Sequence, residues 1–140
     1  MIYILSIVLS VIFLTLSAIH IHWALGGKWG FKNAIPTKEN GDLVMKPRTM
    51  DSIMVAVYLG LFAFFYATKT NICSVSLPEW TTYFLWIIPT LFLLRAIGEF
   101  KYVGFFRKVN STVFSKWDKK LFSPLCLAIS VIGFCIVLFN

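Results

Sequence analysis

Apolar side chains form four long runs along the chain, and three polar segments separate them. The runs cover residues 2–25, 51–68, 80–99 and 121–139. Each run is close to the roughly 20 residues that an α-helix needs to cross the hydrocarbon core of a bilayer. The pattern therefore predicts an all-α integral membrane bundle of four transmembrane helices, which form a single transmembrane domain over residues 1–140.

Small residues recur at helical spacing within three of these runs. They are Ser6, Ser10, Ser17 and Ala24 in the first run, Ala56, Gly60, Ala63 and Ala67 in the second, and Cys126, Ser130 and Gly133 in the fourth. Because small side chains let helices approach closely in lipid, we expect these faces to form the contacts between helices. Pro89 lies inside the third run, where it removes a backbone donor and predicts a kink.

Composition and charge agree with a membrane protein and orient the chain. Apolar residues make up 59% of the sequence and charged residues 14%, against about 25% charged residues in soluble domains. Five of the 13 Lys and Arg lie in the first loop and six in the third, whereas the second loop carries only Lys69. By the positive-inside rule both basic loops are cytoplasmic, and both termini are outside. The net charge of +7 therefore indicates contact with anionic membrane lipids, and nucleic acid is not expected as a partner.

This topology brings most ionisable residues near the helices to the cytoplasmic end of the bundle. A charge at membrane depth costs about 2.5–3.5 kcal/mol on insertion scales, so Arg95 needs a partner or a water-filled cavity. Glu99 follows four residues later and is the nearest candidate, and Asp51 on another helix is the alternative. His20 falls near the small-residue face of the first helix, whereas His22 points almost oppositely.

We predict a ligand-binding site at this level of the membrane and assign no catalytic residue to it. The predicted site consists of His20, Trp23, Trp29, Asp51, Arg95, Glu99 and Asp118. Structural roles are the alternative: Arg95 can snorkel to the interface, Asp51 and Asp118 stand where helix N-caps stand, and both tryptophans suit a membrane-interface belt. A mixed metal site of His20 with an acidic residue is chemically feasible. No spacing requires one, and we expect no metal and no cofactor.

A weaker pattern suggests an internal repeat. The segment 20–31, followed by Met50-Asp51, is similar to the segment 95–105, followed by Trp117-Asp118. Two parallel helical-hairpin repeats would produce this similarity. The alignment needs a one-residue gap and loops of very different length, so chance similarity stays open.

Motifs spread over almost the whole chain resemble those of a known family. They are His20-x-x-Trp23-Ala24-Leu25-Gly26-Gly27-x-Trp29-Gly30, Pro36, Arg95 with Gly98-Glu99-Phe100, Gly104, Phe114, Trp117-Asp118 and Ser123-Pro124-Leu125. The family comprises short bacterial membrane proteins with four predicted spans and is known only as a domain of unknown function. The resemblance implies a multi-pass protein of the bacterial cytoplasmic (inner) membrane, and it brings no activity or catalytic roles with it.

Three functions fit these observations. The preferred interpretation is a cytoplasm-facing polar site that binds a lipid-like or small anionic ligand, because the polar groups lie on one side of the membrane. The first alternative is a small transporter or channel-like protein, which would act as an oligomer because four short spans leave little room for a path. The second alternative is an accessory subunit of a membrane complex. A homodimer or such a complex is compatible with the pattern, and whether the protein is an enzyme is left open.

Overall fold

The four apolar runs form four long helices in a computed structural model, which describes residues 1–70, 72–73 and 75–140. The elements in chain order are α1 (Ile2–Ala24), the short α2 (Phe31–Ala34), α3 (Thr49–Ala67), a 3-10 turn (Glu79–Tyr83) that leads into α4 (Phe84–Ile97), and α5 (Val113–Trp117), which continues through a π-helical turn (Asp118–Phe122) into α6 (Ser123–Phe139). The candidate spans are Ile2–Ala24, Thr49–Ala67, Glu79–Ile97 and Val113–Phe139. The prediction of an all-α bundle with four membrane-spanning helices is confirmed.

The small-residue faces of α1 and α3 form a contact between helices, as the sequence predicts, and the structure shows that they pack against each other. Ser10 Oγ donates a hydrogen bond to the Ala63 carbonyl oxygen at 3.0 Å, and Ser17 Oγ donates to the Ala56 carbonyl oxygen at 2.7 Å. Both alanines are buried, and Gly60 lies beside Ser17. Each serine can approach a carbonyl of the other helix because the residue at the contact has almost no side chain.

The second helix pair is α4 with α6, and it also uses a small residue. Gly133 is so close to α4 that a Cβ added to it would lie 2.8 Å from Pro89 Cβ. The aromatic core joins the two pairs: the ring centroid of Phe13 on α1 lies 5.9 Å from that of Tyr66 on α3 and 5.3 Å from that of Phe92 on α4. The bundle is therefore two helix pairs joined through α1, which also packs on α6.

The fourth long helix begins at Val113, eight residues before the predicted start at residue 121. Thr112 caps it, because its Oγ1 accepts a hydrogen bond from the Ser115 backbone N–H at 3.1 Å. The early turns have a buried side that includes Phe114 and Asp118 and an exposed side that carries lysines. Apolar content alone does not reveal these turns, because only one of their faces is buried.

One end of the bundle carries almost all of the charge, and we call it the basic end. It comprises the ends of α1 and α4, the starts of α3 and α5, the π-helical turn, and residues 25–48 and 98–112. Twelve of the 13 Lys and Arg and five of the six Asp and Glu belong to it, so the net charge of +7 lies at this end. The remaining Lys69 and Glu79 lie at the opposite end and cancel.

Candidate functional site

A cavity of about 750 Å³ lies at the basic end, between all four long helices and under α2. Apolar and aromatic side chains form most of its wall, including Leu59, Phe92, Trp117 and Ile129. Its polar groups come from residues His20, Asn33, Arg95 and Cys126. Four of the seven predicted site residues, His20, Trp23, Trp29 and Arg95, line this cavity, whereas Asp51, Glu99 and Asp118 do not.

His20 lies in the cavity wall with one ring nitrogen already engaged. Its Nδ1 is 2.8 Å from the Leu16 carbonyl oxygen, one helical turn earlier. A carbonyl oxygen only accepts hydrogen bonds, so Nδ1 carries the proton, and in the neutral ring Nε2 carries the free lone pair. His22 is exposed and packs against Gly27 instead. The prediction that the two histidines face different directions is confirmed, and in its neutral form His20 has an acceptor nitrogen, Nε2, besides the one that donates to Leu16.

Trp23 fastens the segment that follows α1 to the end of the bundle. Its Nε1 donates a hydrogen bond to the Trp29 carbonyl oxygen at 2.7 Å, and its ring lies edge-on to Phe31, with centroids 5.8 Å apart. Gly30 has a φ of 68°, a left-handed conformation that turns the chain into α2. Because α2 then packs against α5, the segment 26–34 covers the cavity from the side of the basic loops.

Arg95 forms an ion pair with Asp118, 3.1 Å from Nη2 to Oδ1. The predicted partners Glu99 and Asp51 are both wrong. The helix α4 ends at Ile97, and Gly98 with a φ of 84° redirects the chain, so Glu99 does not lie one helical turn from Arg95. Glu99 is exposed and accepts a hydrogen bond from the Tyr102 backbone N–H at 3.1 Å.

Asp51 stays outside the cavity and caps α3. Its Oδ2 accepts a hydrogen bond from the Arg48 backbone N–H at 2.8 Å, and the residue is exposed. A carboxylate in the first turn satisfies an unpaired backbone donor and interacts favourably with the helix dipole. Asp51 therefore has a structural role at the start of α3, but it occupies the third helical position and not the N-cap position that was predicted, which Arg48 holds.

Asp118 does not cap a helix, because it lies at the π-helical turn inside the continuous helix and is fully buried. Its Oδ2 accepts two further hydrogen bonds, from the Gly104 backbone N–H at 2.8 Å and from Arg107 Nη1 at 3.1 Å. Arg107 Nη1 also donates to the Gly104 carbonyl oxygen at 2.6 Å. We call Asp118, Arg95, Arg107 and Gly104 the carboxylate cluster.

Arg107 is the site residue that the sequence analysis missed. Its side chain is only 3% exposed. The sequence analysis interpreted the Lys and Arg of this loop as solvent-exposed charges that set the orientation in the membrane. The signal that could have found it is the pair Gly98 and Gly104, both with positive φ. A Cβ on Gly104 would collide with the Ile97 carbonyl oxygen and with Gly98 Cα. These glycines let the loop fold tightly against α4, which places Gly104 and Arg107 on Asp118.

The carboxylate cluster contains two guanidinium groups and one carboxylate, so it keeps a net charge of +1. Arg107 lies in the protein interior, whereas the Arg95 side chain is 36% exposed and lines the cavity. Arg95 Nη1 has no hydrogen-bond partner among the described residues, but this atom is itself buried, so the cavity is reached by other parts of the side chain. The cavity therefore presents one charged guanidinium group, one imidazole and a largely apolar wall that includes several aromatic rings. Such a combination can bind an anionic group that carries an apolar body.

Comparison with known proteins places the chain in a family. No curated protein and no solved structure matches it significantly. The sequence model of one family, described as "Protein of unknown function (DUF3995)", matches residues 13–133, which is most of the chain and includes α2, the cavity residues and the whole carboxylate cluster. The resemblance seen in the sequence is therefore confirmed, and the protein belongs to the DUF3995 family of proteins of unknown function.

Proposed function

We propose that this chain is a multi-pass protein of the bacterial inner membrane whose cavity binds the anionic group of a lipid-like or other small ligand. One observation carries the proposal: Arg95, one of two cations that share a single carboxylate, lines an apolar and aromatic cavity, and 36% of its side chain is exposed. A guanidinium group forms charge-assisted hydrogen bonds to carboxylates and phosphates, and these are stronger at a site shielded from water.

The rest of the wall suits a small ligand with an apolar part. The cavity volume of about 750 Å³ lies within the range of roughly 300–1,000 Å³ that is usual for small-molecule sites. His20 Nε2 can accept a hydrogen bond from a hydroxyl group of the ligand, which Arg95 cannot do because a guanidinium has only donors. Trp23, Trp29 and Trp117 supply flat surfaces against which an apolar body can pack.

We further propose that the basic end faces the cytoplasm, since the net charge of +7 lies there and positively charged loops are retained inside. Labelling of introduced cysteines tests this orientation in a Cys73→Ser background, because Cys73 itself lies at the opposite end. A membrane-impermeant maleimide should label Ser76→Cys in intact cells and should leave Lys38→Cys unlabelled until the cells are lysed. The reverse pattern would invert the topology.

Binding can be measured by tryptophan fluorescence. Of the five tryptophans, Trp23, Trp29 and Trp117 line the cavity, whereas Trp80 and Trp86 are exposed elsewhere. In a Trp80→Phe/Trp86→Phe variant, tryptophan fluorescence therefore comes only from residues that line the cavity. We expect dibromobenzoate, whose bromines quench tryptophan, to give saturable quenching in uncharged lipid nanodiscs. Dibromobenzamide has the same ring without the charge and should quench without saturation.

Substitution of Arg95 distinguishes the site from general attraction to a basic surface. Arg95→Gln should weaken dibromobenzoate binding by about tenfold to a hundredfold, because a hydrogen bond to a charged group contributes about 1.5–3 kcal/mol. Lys108→Gln is the matched control, since it removes the same charge from an exposed position of the same end. Equal binding by the parent chain and the Arg95→Gln chain would refute the proposal, as would equal losses in both variants.

A further inference from the structure

A second, smaller cavity of about 250 Å³ opens between α3 and α4, and we call it the side groove. Four residues, Val55, Leu59, Phe92 and Arg95, line both this groove and the main cavity, so the two spaces adjoin. The groove adds Tyr58, Phe62 and Leu91 to that set. Every groove residue other than Arg95 is apolar or aromatic.

The side groove opens towards the bilayer and not towards the aqueous loops. Tyr58 and Leu91 are 51% and 49% exposed on the outer surfaces of two membrane-spanning helices. Leu91 lies one helical turn before Arg95, and Phe62 lies seven residues beyond Val55 along α3, about 10 Å at 1.5 Å per residue. The groove thus extends from the level of Arg95 into the hydrocarbon region. It exists because α3 packs mainly on α1 and α4 packs mainly on α6.

The residue at the junction decides what the groove can hold. Among the described residues that line the two cavities, Arg95 is the only Lys, Arg, Asp or Glu, and its side chain is 36% exposed. A molecule that satisfies Arg95 and also fills the groove must have an anionic head and an apolar tail. A water-soluble anion would leave the groove unfilled, and an uncharged lipid would leave the net charge of +1 on the carboxylate cluster unbalanced.

We propose that the ligand is a single-chain anionic lipid that arrives laterally from the bilayer, with its head at Arg95 and its hydrocarbon chain in the side groove. This inference rests on the proposed anion-binding function and adds the class of ligand and its route. The groove volume, below the roughly 300 Å³ of the smallest usual ligand pockets, leaves room for one chain beside the main cavity. Burial of that chain against the groove aromatics supplies the affinity that distinguishes a lipid from a soluble carboxylate.

Competition in the tryptophan assay tests the proposal. In the parent Trp80→Phe/Trp86→Phe chain, palmitate should displace dibromobenzoate at a much lower concentration than hexanoate does. Leu91→Phe fills the groove from a lipid-exposed position and leaves the main cavity intact. We expect it to raise the palmitate concentration needed for displacement by about tenfold or more, while the dibromobenzoate Kd stays unchanged. Leu94→Phe is the control, since Leu94 is exposed on the same helix and lines neither cavity.

Each other result overturns the proposal in a recognisable way. If both Leu91→Phe and Leu94→Phe give the same palmitate displacement as the parent protein, the hydrocarbon chain of palmitate does not occupy the groove. The proposed anion-binding function then stands alone. If Leu91→Phe weakens dibromobenzoate as much as palmitate, the substitution acts through Arg95, and the groove has no separate role. If the parent chain does not bind dibromobenzoate, the proposed function fails and this inference fails with it.

Discussion

Replacement of Asp118 by Asn removes the only negative charge of the carboxylate cluster while it keeps the side-chain volume. Asp118 is fully buried, and it accepts hydrogen bonds from Arg95, Arg107 and the Gly104 backbone N–H at 3.1, 3.1 and 2.8 Å. The Asn side chain leaves both guanidinium groups without a counter-charge, and the Arg107 side chain, 3% exposed, cannot reach water. Removal of one partner from a buried ion pair costs about 3–5 kcal/mol.

We therefore expect Asp118→Asn to lower the free energy of unfolding by about 3–5 kcal/mol. The measurement is equilibrium unfolding of the purified protein in mixed dodecyl maltoside and dodecyl sulfate micelles, followed by tryptophan fluorescence. Asp51→Asn is the control, because Asp51 makes one exposed capping hydrogen bond and its replacement should cost about 1 kcal/mol.

A double-mutant cycle with Arg107→Gln separates the ion pair from other effects of the substitution. Because each single change leaves a buried charge without its partner, the double variant Arg107→Gln/Asp118→Asn should lose clearly less stability than the two single losses together. Additive losses would contradict direct coupling of Arg107 to Asp118. A loss for Asp118→Asn no larger than that for Asp51→Asn would refute the reasoning altogether.

Two further predictions concern backbone and packing. Gly104→Ala should lower the free energy of unfolding by well over the roughly 1 kcal/mol expected for Gly41→Ala. Both glycines have a positive φ, 88° and 87°, but only a Cβ on Gly104 would collide with the backbone. Equal losses of unfolding free energy in the two variants would contradict the tight loop. Ala63→Leu should lower the free energy of unfolding by about 1–3 kcal/mol through overpacking at the contact with Ser10. Val57→Leu, at a lipid-exposed position of the same helix, should change it little, and equal effects would contradict the pairing of α1 with α3.

Local patterns in the sequence predict the helices and their packing faces, because the information lies within each helix. The periodic serines of α1 and alanines of α3 predict which face of each helix forms a contact, and the structure adds that Ser10 lies opposite Ala63. The two histidines separate for the same reason, since a shift of two residues turns a side chain to the far side of a helix. A role for Asp51 at the start of α3 could also be predicted, because its hydrogen bond joins residues three apart in sequence.

The carboxylate cluster could not be predicted in this way, because its members come from three segments of the chain. The partner chosen for Arg95 from sequence was Glu99, four residues later, and that choice assumes a helix that Gly98 ends. The true partner, Asp118, lies 23 residues away. Arg107, the second arginine bound to Asp118, stands in a loop whose fold depends on two glycines with positive φ. Burial of Asp118 further depends on a helix that begins eight residues before its apolar part.

The central claim is that Arg95 binds an anion inside the cavity at the basic end. It can be tested directly by crystallography of the protein in lipid with dibromobenzoate, with data recorded at the bromine absorption edge. We expect a pair of bromine peaks within the cavity against Trp23 and Trp117, and the carboxylate of the probe on the Arg95 guanidinium. An empty cavity with bromine peaks confined to the exposed lysines of the loops would contradict it.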